Sequence, residues 1–502
     1  MGSSHKGLDN QLGASGIVRP ESKRLYASGV LIAAALVVII HSPALDSAYR
    51  LDDFAWLCLR NTITAGHSLG WALFSPQAQG TIRPLGERLW FLLASSLFGL
   101  NPVPLHAFVL CVQVANVVLI ADTGWRLLGS RRGAAVAVIL WVINDTLVEP
   151  LVWASASNEV FYTFWFLTAF NALLRWISSQ KSVWLWAHAI ALVLALGALE
   201  LAVTLPAVAA AYLILFEKRH WKGLLPSAGI VVLYVAAHFA AVPLPKDGPY
   251  RLSLGWGVVG TFWRYWGNVL GPEEYGRIHQ MNPGITRLGT ALMTAAILVW
   301  LVICARRKRW VPLFCVLWFV VTLAPTLPLR EHVTPYYTFI PSVGLAWLAG
   351  DALARAVSWP GRSIGIACAV LYAVCQIPSA IFVRDWNRER SRDAVKREAQ
   401  LADAVREIRR LEPEGAVFLT GLDGEQFWWG LCYGQLTKLG FTDLHILPDA
   451  GEHGIPIPPK EWCLTHDFQL SPDETKRLLD EGHAHVFDIS HSPPKYKTLI
   501  DR

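Results

Sequence analysis

The 502-residue sequence has few charged residues, since Asp, Glu, Lys and Arg together make up only 16% of it. Soluble proteins carry about 25% charged residues, and 53% of this chain is hydrophobic. Its eight cysteines include six in or beside apolar segments, and its histidines and cysteines show no metal-ligand spacing. The composition therefore excludes a soluble multidomain protein and a disulfide-rich secreted domain. It indicates no metal, cofactor or nucleic acid.

Long apolar runs recur along the chain, and a membrane-spanning helix needs about 17 to 25 such residues. The first run lacks a small-residue cleavage motif and is followed by others, so we interpret it as a retained helix after a disordered cytoplasmic segment, 1–24. The sequence predicts an α-helical polytopic membrane protein with about eleven spans. These lie near 25–45, 103–123, 133–149, 159–177, 183–199, 201–216, 224–242, 288–305, 311–328, 336–354 and 363–382.

Lys and Arg residues gather in alternate short connections between these spans. Such loops are cytoplasmic by the positive-inside rule. They include 126–132, 175–181, 218–222, 306–309 and 355–362. An odd number of spans that starts inside predicts an extracytoplasmic C-terminus.

The region after the last span is polar. It reads as a charged amphipathic helix over 384–411, followed by short strands at 415–420, 443–447 and 485–489 and a helix at 471–479. We therefore divide the chain into a membrane domain, 25–383, and a small extracytoplasmic α/β domain, 384–502. Cys432 and Cys463 can pair there in an oxidising compartment, and two lone thiols are equally compatible with their spacing.

The first candidates for chemistry are Asp52 and Asp53, which directly follow the first apolar run. Adjacent carboxylates near a low-dielectric boundary repel each other, so the pKa of one should rise toward the range of a general base, and the pair should titrate as a unit. The alternative is that they cap the next helix or carry solvated charge. Arg83 and Arg330 are candidate phosphate ligands because a guanidinium binds phosphate bidentately, although Arg83 can equally anchor to lipid headgroups.

Several stretches in this order resemble the GT-C superfamily of membrane glycosyltransferases, nearest the transmembrane O-mannosyltransferase branch and, more distantly, protein mannosyltransferases and the lipid A aminoarabinose transferase. The stretches are Asp52-Asp53, Arg83-Pro84-Leu85, Glu149-Pro150 with Trp153 and Glu159, Glu200 to Pro206, and Arg330-Glu331-His332. The chain departs from that branch in two respects. It has no tetratricopeptide repeat after the last span, and Asn144-Asp145 stands where relatives often carry His-Pro.

The resemblance implies transfer of a monosaccharide from a polyprenyl-phosphate donor to an acceptor hydroxyl at the outer membrane face, with inversion and without a metal. It makes Asp52 the general base and Asp53 an orienting group. The acceptor class, whether protein, lipid or glycan, is left open. Glu159 and Glu200 are candidates for an acceptor-binding or second acid, although Glu159 can also serve as a favourable first-turn acid of its helix.

Two other functions are compatible with acids and arginines in such a chain. A flippase or transporter of lipid-linked glycans usually shows repeat halves or broken helices around a midplane site, whereas here the charges gather on one face. A polymerase or ligase of surface polysaccharide is the other alternative.

Overall fold

A computed structural model describes residues 20–496 apart from 65, 77–80, 243–247, 249, 357–358, 412–413, 434, 439, 442, 449–468 and 491–494. Helices dominate the described residues. Those of the first half are α1 Pro20–His41, α2 Asp52–Leu57, α3 Leu59–Thr64, α4 Leu69–Phe74, α5 Leu89–Phe98, α6 Val103–Leu128, α7 Arg131–Val142, α8 Glu149–Val152, α9 Asn158–Ser179, α10 Ser182–Ala198, α11 Leu205–Phe216 and α12 Leu225–Ala241.

The second half continues with longer helices and a small sheet. Its helices are α13 Gly257–Leu270, α14 Pro272–Ile278, α15 Pro283–Arg306, α16 Val311–Leu323, α17 Pro341–Arg355, α18 Trp359–Leu411, α19 Gly424–Gln426, α20 Gln435–Lys438 and α21 Pro472–Asp480. Its strands are β1 Ala416–Thr420, β2 Leu444–Ile446, β3 Ala484–Asp488 and β4 Lys495–Tyr496.

Each predicted span coincides with a helix, but not every helix is long enough to cross a bilayer. Six helices of the described residues have the length and hydropathy of a span: Lys23–Asp46, Val103–Leu128, Ala154–Ser179, Lys218–Ala241, Pro283–Arg306 and Pro360–Leu411. A bent pair, Arg131–Val142 with Asp145–Val152, can add a seventh. The chain is an integral membrane protein, and the number eleven stays a prediction.

The helix predicted over 133–149 is not continuous to its C-terminal end. Helix α7 ends at Val142, and the chain turns by 65° before Asp145–Val152. The side chain of Asn144 accepts a hydrogen bond from the Thr146 amide at 2.9 Å and so caps a new turn. An Asn side chain that bonds its own backbone competes with helix continuation, which explains the break.

The chain divides into two compact units. The helical unit comprises the described residues of Met1–Leu45, His106–Val152 and Ala156–Asp385. The sheet unit comprises those of Asp46–Leu105, Trp153–Ser155 and Trp386–Arg502. The segment carrying Asp52 and Asp53 therefore belongs to the same unit as the chain after Asp385.

The helical unit has an aromatic core around Trp318. Its ring lies 5.5 Å from Phe166, 5.2 Å from Phe170 and 4.9 Å from Trp347, all in tilted or edge-on geometry. Rings at these separations contribute about 0.5–1.5 kcal/mol per pair beyond the area that they bury. The cluster joins α9, α16 and α17.

In the sheet unit, the four strands follow the order β2-β1-β3-β4, with β1 parallel to both β2 and β3 and with β3 antiparallel to β4. Apolar residues of β1 pack with Leu401, Val405 and Ile408 of α18, each 2% exposed or less. The predicted strands and the helix at 471–479, which Ser471 caps, are confirmed. Cys432 is buried and disulfide-bonded, whereas Cys463 lies outside the described residues.

Arg88 organises the connection between α4 and α5. Its guanidinium is fully buried and donates to the backbone carbonyls of Leu73 and Ser75 at 2.7 Å, of Thr81 at 2.5 Å and of Ala72 at 3.4 Å. One side chain thereby donates to four carbonyls, three at the end of α4 and one at Thr81. Arg88 therefore ties the end of α4 to Thr81.

We expect Arg88→Met to lower the thermal stability of the purified protein and to expose the loop to protease. Each buried carbonyl left without a donor costs about 1–3 kcal/mol. Thermal unfolding and limited proteolysis in detergent measure the two effects. The control is Arg410→Met, since the Arg410 side chain is 74% exposed; equal behaviour of both variants would contradict a structural role for Arg88.

Candidate active site

The backbone enters α2 through a strained residue. Leu51 has φ 50° and ψ −128°, a conformation that non-glycine residues rarely adopt. The amide of Asp53 still reaches the Arg50 carbonyl at 3.0 Å, which closes the turn. Strain of this kind costs about 1–3 kcal/mol and persists where the surrounding structure imposes it, often at functional sites. The two carboxylates thus begin a helix at a fixed angle to the preceding chain.

Asp53 is fully buried, and both of its carboxylate oxygens are occupied. Oδ2 accepts from the Arg50 amide at 2.8 Å, and Oδ1 accepts from the Ser155 amide at 2.7 Å and from the Ser155 hydroxyl at 2.5 Å. No side chain caps α2. The helix-cap and solvated-charge alternatives therefore do not describe Asp53, which ties two segments that lie 102 residues apart in the chain.

Asp52 has a different environment, although it is the neighbouring residue. It is partly exposed, yet its Oδ1 is buried and has no hydrogen-bond partner within the described part of the chain. Burial raises the pKa of Asp52 well above its ordinary value, and the negative charges of Asp53 and Glu87 raise it further. Ser155 and Arg50 oppose this shift. Asp52 therefore combines a raised proton affinity with an uncommitted oxygen, as a general base requires.

The pKa of Asp53 rises as well, from the ordinary 3.8 to about 6, because burial outweighs the hydrogen bonds from Ser155 and Arg50 and the positive charge of Arg50. The predicted rise in pKa is thus found for both acids. Its main cause is burial, whereas repulsion between the two carboxylates contributes only second, at Asp52.

Arg83 lies in the same unit and forms an ion pair. Its Nη1 is 2.5 Å from Oε1 of Glu87, which is 3% exposed and is one of the charges acting on Asp52. Glu87 was not among the predicted site residues, although its i, i+4 spacing with Arg83 is a signal for such a pair. The pair orients the guanidinium and gives the site a second acid. No group of three or more His, Cys, Asp or Glu side chains among the described residues could hold a metal ion.

The residues that hold Asp53 were also missed. Arg50 is 4% exposed, and its guanidinium lies 5.2 Å from the centre of the Trp153 ring, two residues before Ser155. Local sequence gave no signal for either Arg50 or Ser155, because their partners are remote in the chain. Of the predicted site residues, the structure thus brings Asp52, Asp53 and Arg83 into the sheet unit.

The other three predicted site residues, Arg330, Glu159 and Glu200, belong to the helical unit. Arg330 is exposed and packs over Gly257 at the start of α13, where a Cβ would overlap the guanidinium. Glu159 is 2% exposed and lies in the first turn of α9. Glu200 begins a 3-10 turn and is partly exposed.

Tyr336 shows which of these residues lie near one another. Tyr336 is largely buried, and Glu149, Glu159 and Tyr250 lie close enough to act on it electrostatically. Burial raises the pKa of Tyr265 on α13, to which Glu159 contributes. Glu159 therefore shares a polar neighbourhood with the loop that carries Arg330 and with α13.

We expect Asp52→Asn to raise the apparent unfolding temperature at about pH 8 and to leave it unchanged near pH 4. Because the folded protein holds the Asp52 proton more tightly than the unfolded chain, the stability that this group contributes is fully present below the unfolded pKa and is lost as pH rises through the folded pKa. Asn carries no charge at any pH and avoids that loss. Thermal unfolding of both proteins across this pH range measures the difference, and a difference that is constant with pH would contradict the raised pKa.

No known family model matches the sequence, and no curated protein is similar to it in sequence. Solved structures are similar in fold. ArnT from Cupriavidus metallidurans in the apo state superposes with a TM-score of 0.51 and 14% identity, over 92% of this chain and 93% of that one. ArnT bound to undecaprenyl phosphate gives 0.49 and 15% identity, over 91% and 92%.

The apo oligosaccharyltransferase of Archaeoglobus fulgidus gives a TM-score of 0.49 and 13% identity, over 80% of this chain. This chain spans 63% of the length of that enzyme. At these identities the likeness concerns the fold alone. The chain shares the fold of apo ArnT, as the sequence resemblance predicted, and the O-mannosyltransferase branch stays a prediction.

Proposed function

We propose that this protein is an inverting glycosyltransferase that moves a monosaccharide from a polyprenyl-phosphate donor to an acceptor hydroxyl at the extracytoplasmic membrane face. The observation that carries the proposal is the contrast within the acid pair. Asp53 accepts three hydrogen bonds, whereas Asp52 keeps a buried oxygen without a partner among the described residues. The fold shared with ArnT supports the same conclusion.

Asp52 acts as the base in a single displacement. The acceptor O–H gives its proton to Asp52 while the acceptor oxygen bonds the anomeric carbon. The bond from that carbon to the phosphate oxygen breaks, and its electron pair leaves with the polyprenyl phosphate. Because one displacement occurs at the anomeric carbon, its configuration inverts. Asp53 holds the turn and does not exchange protons with the acceptor.

Arg83, which belongs to the same unit as the acid pair, binds the donor phosphate in this proposal, because a guanidinium stays charged and offers two parallel donors to phosphate oxygens. Arg330, which belongs to the helical unit, stays a separate candidate phosphate ligand. The pairing of Arg83 with Glu87 fixes the orientation of its guanidinium. Glu159 and Glu200, which belong to the helical unit, stay candidates for acceptor binding.

The sheet unit lies outside the cytoplasm in this proposal, because basic residues gather in the opposite loops and because Cys432 is disulfide-bonded. We expect a phosphatase reporter that is active only outside the cytoplasm to be active when it is fused after Arg502. A cytoplasm-specific reporter at the same position should be silent. The reverse pattern would show that the number of spans is even.

The function is tested with purified protein and polyprenyl-phosphate mannose, glucose and aminoarabinose, each radiolabelled in the sugar. We expect label from one donor to move to extracted lipid, glycan or protein acceptors, with release of unglycosylated polyprenyl phosphate. Asp52→Asn, checked for folding by its unfolding temperature, is the matched control.

A flippase gives a different result in the same preparation. Reconstituted vesicles would then move labelled donor between leaflets without breaking its sugar-phosphate bond. The donor would stay intact with the wild-type protein and with Asp52→Asn. That outcome would replace the transferase proposal with the transporter alternative.

A further inference from the structure

The segment after Asp385 contacts the turn that carries the acid pair. The link runs through Arg50, whose Nη2 donates to Oδ1 of Asn387 at 2.7 Å and whose Nη1 donates to the Asn387 carbonyl at 3.3 Å. Arg50 and Asn387 are 4% and 3% exposed and lie 337 residues apart in the chain. A buried guanidinium is costly to desolvate unless polar groups surround it, so these two acceptors determine where Arg50 can lie.

A second contact, one turn along α18, holds the same stretch. The hydroxyl of Ser391, which is fully buried, accepts from the Ala48 amide at 3.4 Å and donates to the Arg388 carbonyl at 2.8 Å. Arg388 also pairs with Asp46 at 3.0 Å, but Asp46 is largely exposed and such pairs contribute little. The buried contacts of Asn387 and Ser391 are therefore the ones that fix residues 48–50.

Arg50 connects the contacts of Asn387 to the acid pair in two ways. Its backbone amide is the donor to Oδ2 of Asp53, and its guanidinium lies over Trp153, two residues before the Ser155 donors. A shift of Arg50 would therefore move its own amide, which donates to Asp53. It would also disturb the contact with Trp153, which lies two residues before the Ser155 amide and hydroxyl that donate to Asp53.

We propose that Asn387 is a positioning residue that holds Arg50, and through it the Asp52 and Asp53 carboxylates, so that the part of α18 after Asp385 is part of the active-site support. The inference rests on the proposed function of Asp52, and it deepens that proposal. It also gives the region after Asp385 a role in supporting the acid pair.

The charge of Arg50 gives a measurable consequence. The charged groups acting on Asp52 are Asp53 and Glu87, which raise its pKa, and Arg50, which lowers it. Arg83 is paired with Glu87, and Tyr49 adjoins Asp53. If Asn387 no longer holds the guanidinium, the lowering effect weakens and the pKa of Asp52 rises.

The experiment is an infrared pH titration of the carboxyl groups in the full-length protein without donor, with the Asp52 band assigned by its loss in Asp52→Asn. Asn387→Leu removes the acceptor at nearly constant volume. The matched control is Gln435→Leu, since Gln435 is a fully buried amide of the same unit that bonds Trp428 and Tyr433 and not Arg50. We expect an upward shift of the Asp52 midpoint in Asn387→Leu and none in Gln435→Leu.

A double-mutant cycle tests whether the effect passes through Arg50. In an Arg50→Gln background, Asn387→Leu should cause no further shift, because the charge that it positions is absent. An unchanged midpoint in Asn387→Leu, or an equal shift with and without Arg50, overturns the inference. Because the titration uses no donor, its result is independent of whether the protein transfers a sugar. If Arg50→Gln does not fold, Arg50→Lys replaces it. Asn387→Leu should then shift the Asp52 midpoint less in the Arg50→Lys background than in the wild-type background.

Discussion

Asp52→Asn should lower turnover about 10²- to 10⁴-fold while donor binding stays near that of the wild type. A positioned general base is worth about this factor, and Asn keeps the shape of Asp while it removes the proton acceptor. Donor binding persists because Asp52 contacts the acceptor in our proposal and not the phosphate. Turnover and donor affinity measured in nanodiscs separate the two effects, since loss of a transition-state interaction lowers kcat and kcat/KM together.

The control for Asp52→Asn is Asp393→Asn, which makes the same chemical change at a position that is exposed and pairs only with nearby Lys396 among the described residues. It should behave as the wild type. Near-normal turnover in Asp52→Asn would remove Asp52 as the base and would leave Glu159 and Glu200 to be tested by the same measurement.

Asp53→Asn should be as damaging as Asp52→Asn, but for a structural reason. From the sequence alone we expect a milder effect, since Asp53 only orients the acceptor or the loop. In the structure, both oxygens of Asp53 face donors. An Asn side chain must turn its NH₂ group toward either the Arg50 amide or Ser155, so that two donors oppose each other. A buried donor left without an acceptor costs about 1–3 kcal/mol.

Thermal unfolding distinguishes this effect from that of Asp52→Asn. The pKa of Asp53 is also raised, so at about pH 8 the loss of its charge favours folding while the unpaired donor opposes it. The unfolding temperature should therefore rise less in Asp53→Asn than in Asp52→Asn. Ser155→Ala deletes the hydroxyl donor and keeps the charge of Asp53, so it should unfold below the wild-type temperature. If Asp53→Asn gains as much stability as Asp52→Asn and also keeps full turnover, the three hydrogen bonds of Asp53 do not support the site.

The positions of the helices show how much of the fold the local sequence pattern predicts. Apolar runs predict helices at all eleven positions because the bilayer selects long apolar segments whatever their neighbours are. The failure at 133–149 has a local cause, since Asn144 caps its own turn. The number of helices that truly cross the membrane depends on tilt and packing, which hydropathy does not contain.

By itself, the sequence determined the membrane class, the helix and strand positions, and the place of the acid pair at the end of the first apolar run. Each of these follows from the polarity of residues that are close together in the chain. Only the tertiary structure decided which aspartate has both carboxylate oxygens occupied. The two share one local sequence, but the donors that occupy Asp53 come from Arg50 and from Ser155, 102 residues away, and Asn387 anchors Arg50 from 337 residues away. Folding brings these groups together, so the difference between Asp52 and Asp53 is a property of packing and cannot be read from their order in the chain.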